Sequence, residues 1–153
     1  MPNYISGIGA LQPQLMIIGE APDKYADEQG APFVGPNGQI LNDLLFKAGI
    51  RRSDCYITYV VKYRLPQNDI KKLHLIGIDL ATSVNELWDN EINRLRPNCI
   101  LALGDIALEA ITGHTGILDY RGSILLAKDG ITKCVPTINP AALFSHTSGE
   151  DTG

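Results

Sequence analysis

Three short apolar runs alternate with segments whose apolar residues recur at helical spacing, and that alternation restricts this chain to few folds. Gln14–Gly19, with Leu15, Met16, Ile17 and Ile18 in a row, reads as a buried strand ending in glycine. Cys55–Lys62 is β-branched and aromatic, and Cys99–Leu103 is a third buried strand. Between them, Asn37–Ala48 reads as a helix with Asn37 as its cap, a stripe of Ile40, Leu41, Leu44 and Leu45, and Gly49 at its close. Ser83–Leu95 is helical by the spacing of Val84, Leu87, Trp88, Ile92 and Leu95, with Pro97 as a stop. Asp105–Ile111 forms another helix, closed near Gly113. Asp129-Gly130, between Ser123–Lys128 and Ile131–Val135, predicts a hairpin, and Asn139-Pro140 opens a last helical stretch. The pattern is that of an α/β layered domain with a mostly parallel sheet.

Such a sheet carries its working loops at the carboxyl ends of its strands. Four loops qualify, after Gly19, Lys62, Leu103 and Ile138, and the first and last are the least ordinary. The first, Glu20–Pro36, has neither helical nor strand period and concentrates carboxylates, Tyr25, Phe33 and glycines. Glycine lets backbone approach a ligand closely, but the same composition also suits an acidic, solvated loop with Phe33 tucked into the core. At 153 residues the chain suggests one domain. The balance of 13 basic and 17 acidic residues, −4, argues against affinity gained by wrapping duplex DNA in a basic surface, while leaving room for a local basic patch. Cys55, Cys99 and Cys134 are isolated in apolar runs, as small core residues of a reducing compartment are. No apolar run approaches the roughly 20 residues of a membrane helix, and no basic-then-apolar leader opens the chain. The expectation is a cytoplasmic protein.

The order of residues in the first loop is more telling than its composition. Gly19-Glu20-Ala21-Pro22, then Asp27, Gly30, Pro32-Phe33-Val34-Gly35, Gly38 and Leu41 resemble in fixed register the first motif of the family 4 uracil-DNA glycosylases. Tyr56-Ile57-Thr58 to Lys62, Leu95-Arg96-Pro97 to Gly104, and Arg121-Gly122 before the hairpin continue the likeness, which runs roughly from Leu11 to Phe144. The resemblance implies a three-layer α/β/α sandwich with a central, mostly parallel four-stranded sheet, and hydrolysis of the bond between a flipped base and deoxyribose. It implies Glu20 at the attacking water and the sugar cation, and Phe33 stacked on the base. Backbone near Ala21, Gly35, Asn37 and Gly38 would meet base oxygens. Lys62, Gly104, Arg121 and the last loop at Ala141 and Ala142 would face DNA. Leu143 is either a wedge into the vacated stack or a core leucine.

The departures fall on the base pocket. Where the family carries an Asn that pairs with the uracil edge, this chain has Tyr59, which fills the pocket, selects another base, or has moved out. Where the family carries a His in the last loop, this chain has Asn139, which donates a hydrogen bond but carries no charge. Asp23 and Ala26 replace other motif residues, with Asp23 and Tyr25 read as solvated loop side chains. The positions of the family's iron–sulfur cysteines hold Tyr63 and Val84, and the amino-terminal segment has none, so no cluster or other cofactor is expected. His74 and His114 read as solvated, while His146 falls seven residues beyond Asn139. Lys62, Arg64, Lys71, Lys72 and Arg121 are either a local DNA-facing set or a scattered solvated surface. Residues 146–153 read as a mobile tail. Two functions follow as expectations. The first is a monomeric glycosylase acting on uracil or another modified base in DNA, with altered or weakened specificity. The second is an inactive DNA-binding module of a replication or phage-type system, partnered with a DNA polymerase.

Overall fold

A computed structural model of the chain describes residues 1–140. Its sheet is built from β1 (Ile8–Gly9), β2 (Leu15–Gly19), β3 (Tyr56–Tyr59), β4 (Cys99–Leu103), β5 (Leu125–Leu126) and β6 (Lys133–Thr137), in the order β1-β3-β2-β4-β6-β5. The expected four-stranded parallel sheet is present as β3-β2-β4-β6. The two-residue strands β1 and β5 extend it antiparallel at the edges, to six strands in all.

The chain leaves β2 for β3 on one side, then returns across β2 to β4 on the other. That reversal puts a crevice at the carboxyl end of β2, where the first loop begins. Right-handed crossovers in opposite directions place their helices on opposite faces. Accordingly α2 (Gly35–Lys47) sends Leu41 and Leu45 against Ile17, Ile57, Tyr59 and Leu103. α3 (Leu80–Leu87) and α5 (Asp105–Thr112) cover the other face, with Leu87, Ala107 and Ile111 against Met16, Ile18 and Ile100.

Several elements differ from the sequence expectation. The first loop contains a helix, α1 (Lys24–Gln29), too short to display a period. Asp23 caps it by accepting the Ala26 amide at 2.9 Å, and Gly30 ends it in the left-handed region. The next helix starts at Gly35 with Val34 as its cap, because Asn37 turns its amide to donate to Asp23 Oδ2 at 2.9 Å. Asp23 is therefore a structural tie rather than a solvated side chain. Leu44 leaves the expected stripe and is exposed.

α3 begins at Leu80, three residues before the expected start, and Asp79 caps it by accepting the Thr82 amide. A π turn at Trp88–Ile92 leads from α3 into α4 (Asn93–Leu95), and its extra residue turns both Glu91 and Ile92 inward. A short helix α6 (Ile117–Tyr120) precedes β5. The hairpin pairs only two residues per strand, because Asp129 folds its loop by accepting the amides of Ile131 and Thr132. Cys55 and Cys134 are buried, Cys99 is half-buried and all three are free, as core residues are. Among the described residues, no helix is long and apolar enough to cross a membrane.

Candidate active site

The glycines of the first motif make room for one aromatic residue. Phe33 has φ +51°, an uncommon conformation for a side chain of its size. Its carbonyl folds onto α2, where a Cβ at Gly38 would lie 2.0 Å from Phe33 O. At the end of β2, a Cβ at Gly19 would lie 2.6 Å from the tip of the Phe33 ring. Gly35 itself sits at φ +71° over the Tyr25 ring. Arg52, in the turn Arg52–Asp54, donates to the carbonyls of Pro32 at 2.8 Å and Phe33 at 2.9 Å, and to Asn42 Oδ1 at 2.7 Å. Its guanidinium clamps the strained turn from below. Sequence reasoning missed Arg52, since it lies outside every motif and its partners are backbone carbonyls distant in the chain.

Glu20, Ala21, Phe33, Asn37, Tyr59 and Asn139, brought from four segments, line one cleft of about 440 Å³ at the carboxyl ends of the strands. Lys24 and Arg64 supply its cations, of which Lys24 was not foreseen because α1 was not. Burial pushes the Glu20 carboxyl above the usual carboxylate range, and the negative charges of Asp105 and Asp69 act in the same direction. Asn139 reaches Glu20's cleft because β6 runs parallel to β4 and ends beside Gly104, whose φ of +92° and missing side chain admit the Asn139 Cβ.

The other expected site residues lie elsewhere. Gly35 and Gly38 act as spacers for Tyr25 and Phe33 rather than as cleft lining. The Gly104 amide is spent on the Thr137 carbonyl at 2.9 Å. Arg121 is exposed, outside the cleft, next to Gly122, whose amide donates to Pro136 O. Lys62 departs most from expectation. Its ammonium lies 2.5 Å from Glu91 Oε1, and its side chain is 12% exposed, so it is withdrawn from any phosphate. Ala141, Ala142, Leu143 and His146, with the expected tail, lie outside the described residues. His74 and His114 are exposed, as expected of solvated histidines, and His114 packs on Tyr120.

Tyr59 packs against Phe33 in this cleft. Its ring stacks on Phe33 with centroids 5.0 Å apart and planes at 21°, and its hydroxyl accepts the Phe33 N–H at 2.9 Å. An iron–sulfur cluster does not fit the residues present at the family's ligand positions. Tyr63 packs edge-on against Tyr4 at 5.4 Å and Val84 packs on the apolar core. Cys55 and Cys134 belong to two separate core regions, and no group of metal-ligating residues forms among the described residues.

Comparison with known proteins agrees with this geometry. Residues 6–152 match the family described as the uracil DNA glycosylase superfamily. The chain is 38% identical over 150 residues to the type-4 uracil-DNA glycosylase of Pyrobaculum aerophilum, covering 93% of this chain and 74% of that one. It is 33% identical to the type-4 enzyme of Thermotoga maritima, covering 97% and 75%. A DNA polymerase of Bacillus phage SP01 is 26% identical over 98% of this chain, which maps onto 16% of the polymerase. With the motif glycines packed around Phe33 and the cleft lying at the sheet's crossover point, the match extends to how the fold builds its site, and the chain belongs to the uracil-DNA glycosylase superfamily.

Proposed function

We propose that the cleft hydrolyses the N-glycosidic bond of uracil or another deaminated or modified base in DNA, with specificity altered from that of the type-4 relatives. The observation that carries this reading is the Glu20 carboxyl, desolvated at the end of β2 in the same cleft as Asn139 and Phe33. In the reaction the bond from C1′ to the base nitrogen breaks and its electron pair leaves with the base. A water oxygen bonds to C1′, and the water's proton passes to the carboxylate and on to solvent. Glu20 in its ionised form faces the developing sugar cation and accepts that proton. Asn139 donates a hydrogen bond to the departing base or holds the water. Arg64 and Lys24, at the same cleft, are the cations placed to meet phosphates of a single strand that carries the flipped nucleotide.

A second reading is favoured by two observations. Tyr59 fills the space beside Phe33, and nearly the whole chain aligns with one segment of a phage DNA polymerase. On that reading the unit binds DNA within or beside replication machinery and performs no chemistry. Single-turnover assays with excess protein, on single-stranded and duplex oligonucleotides carrying uracil, hypoxanthine, xanthine or 5-hydroxymethyluracil, separate the two. Alkali-labile sites that disappear in Glu20→Ala support the enzyme and name its base. DNA binding without cleavage on any substrate supports the module.

A further inference from the structure

Phe33 has little exposed surface to offer a base. One face is covered by the nearly parallel Tyr59 ring, and the two residues are only 6% and 3% exposed. There is no spare room beneath the pair either, since a Cβ at Gly19 would come 2.6 Å from Phe33 Cζ and 3.2 Å from Tyr59 Cδ1. Neither ring is loosely held. The Phe33 turn is pinned by Arg52 through two carbonyls and by Tyr59 through its amide. Tyr59 sits on β3 in register with Gly19, so its backbone is fixed by the sheet and only rotation of the side chain moves the ring. A phenol here has the attributes of a stacked base, a flat π face against Phe33 and a polar edge bonded to backbone.

We propose that Tyr59 is the specificity-determining residue of this cleft, an internal occupant of the base position that keeps uracil from stacking on Phe33. The proposal rests on the reading of the cleft as a base-binding glycosylase site. A uracil must displace a ring that is stacked, buried and hydrogen-bonded, and then compete with its return. The chain therefore handles uracil poorly although it retains Glu20. Replacing Tyr59 by Asn removes the ring and puts in its place a short amide, whose donor and acceptor match the N3–H and O4 edge of uracil. Replacing it by Phe keeps the ring and removes only the hydroxyl.

The test compares wild type, Tyr59→Asn and Tyr59→Phe in two measurements. One is saturation-transfer NMR with free uracil, and the other is single-turnover excision from a uracil-containing single strand. Tyr59→Asn is expected to bind uracil and to excise it at least about 100-fold faster than wild type, with wild type and Tyr59→Phe alike in showing neither. The proposal is overturned if wild type binds free uracil, or excises within tenfold of Tyr59→Asn. It is equally overturned if Tyr59→Phe gains as Tyr59→Asn does, or if a Tyr59→Asn protein with wild-type circular dichroism binds no uracil. Should Tyr59→Asn fail to fold, wild type and Tyr59→Phe still decide: uracil binding by either refutes the plug, and its absence in both supports it. Uracil binding by Tyr59→Asn but not by wild type upholds the plug even where neither protein excises any of the modified bases, the result that removes the glycosylase reading. Equal excision by wild type and Tyr59→Asn does the reverse.

Discussion

Two tyrosines three residues apart on β3 face opposite sides of the sheet, and their surroundings are built on different principles. On one side Tyr56 donates its hydroxyl to Glu91 Oε2 at 2.8 Å, while Lys62 serves Glu91 Oε1 at 2.5 Å. Both carboxylate oxygens have partners, and Tyr4 and Tyr63 stack edge-on at the rim of a cavity of about 340 Å³. On the other side Tyr59 uses its hydroxyl on backbone, and the nearby carboxyl of Glu20 forms no ion pair among the described residues. Where the first face matches every buried charge, the second leaves a carboxyl desolvated beside two other acids. The first arrangement leaves no buried charge unmatched and the second gives up some stability, an asymmetry that favours the Tyr59 side as the proposed working side.

The sharpest way to break the comparison is Glu20→Gln. Excision of whichever base proves to be the substrate is expected to fall by about 10²–10³-fold in single turnover. Stability is expected to move the other way. Because the folded state raises the Glu20 pKa, it holds the proton more tightly than the unfolded chain does. The resulting stability is present below the unfolded pKa and lost as pH rises through the folded one. Glu20→Gln, which stays neutral, should therefore melt higher than wild type at neutral pH, with the two converging in acid. Activity needs the ionised form, so its acid limb should fall above the usual carboxylate range and be absent from any residual activity of the variant. A variant less stable than wild type at pH 7 would mean that Glu20 is a structural carboxylate like Glu91.

The opposite face is tested by Glu91→Leu and Lys62→Met. Each alone strands a buried charge and should cost about 3–5 kcal/mol in denaturant unfolding. The double variant should recover much of that loss, since a buried pair and an apolar pair of similar volume are often close in stability. The salt dependence of DNA binding should be the same in the double variant as in wild type. A slope reduced by about one unit would return Lys62 to the phosphate role that its motif position suggests.

That residue shows where sequence reading stops. The parallel strands, the two-sided helical cover and the cleft at the carboxyl ends followed from apolar period and loop order, because burial imposes those patterns on residues near in sequence. Lys62 occupies its motif position, but its partner Glu91 lies 29 residues on and turns inward only because a π turn adds a residue to the helix. Arg52 was invisible for the same reason, since it binds carbonyls, which have no sequence identity. Among the candidate site residues, Glu20, Phe33, Tyr59 and Asn139 were legible and meet in one cleft. The sequence left open whether Tyr59 fills the pocket, selects another base or has moved out, and the ring stack on Phe33, which no sequence pattern encodes, is the contact on which the plug proposal rests.

Smaller effects sharpen the contrast. Gly104→Ala forces a side chain into φ +92° and within 3.2 Å of the Asn139 Cβ, and should cost about 1–2 kcal/mol. Activity should fall with it, because the loop that carries Asn139 must give way. Unchanged activity with reduced stability would place Asn139 outside the reaction.

The smallest expected effect lies between the two tyrosines. Thr58 follows the strand alternation onto the Tyr56 side, completely buried, and its hydroxyl has no hydrogen-bond partner among the described residues. An unpaired buried hydroxyl costs its desolvation with no return, whereas a methyl of the same shape does not. Thr58→Val should therefore raise stability by about 1 kcal/mol, read as a shift in urea midpoint at constant slope. It should leave base excision and DNA binding unchanged, since Thr58 points to the face of β3 opposite Tyr59 and Phe33 and does not line the cleft. A stability gain accompanied by altered excision would show that the two faces of β3 are coupled through the strand, and the division drawn between Tyr56 and Tyr59 would then fail. A loss of stability would show instead that the hydroxyl has found a partner, and that this face satisfies its polar groups as fully as Glu91 suggests.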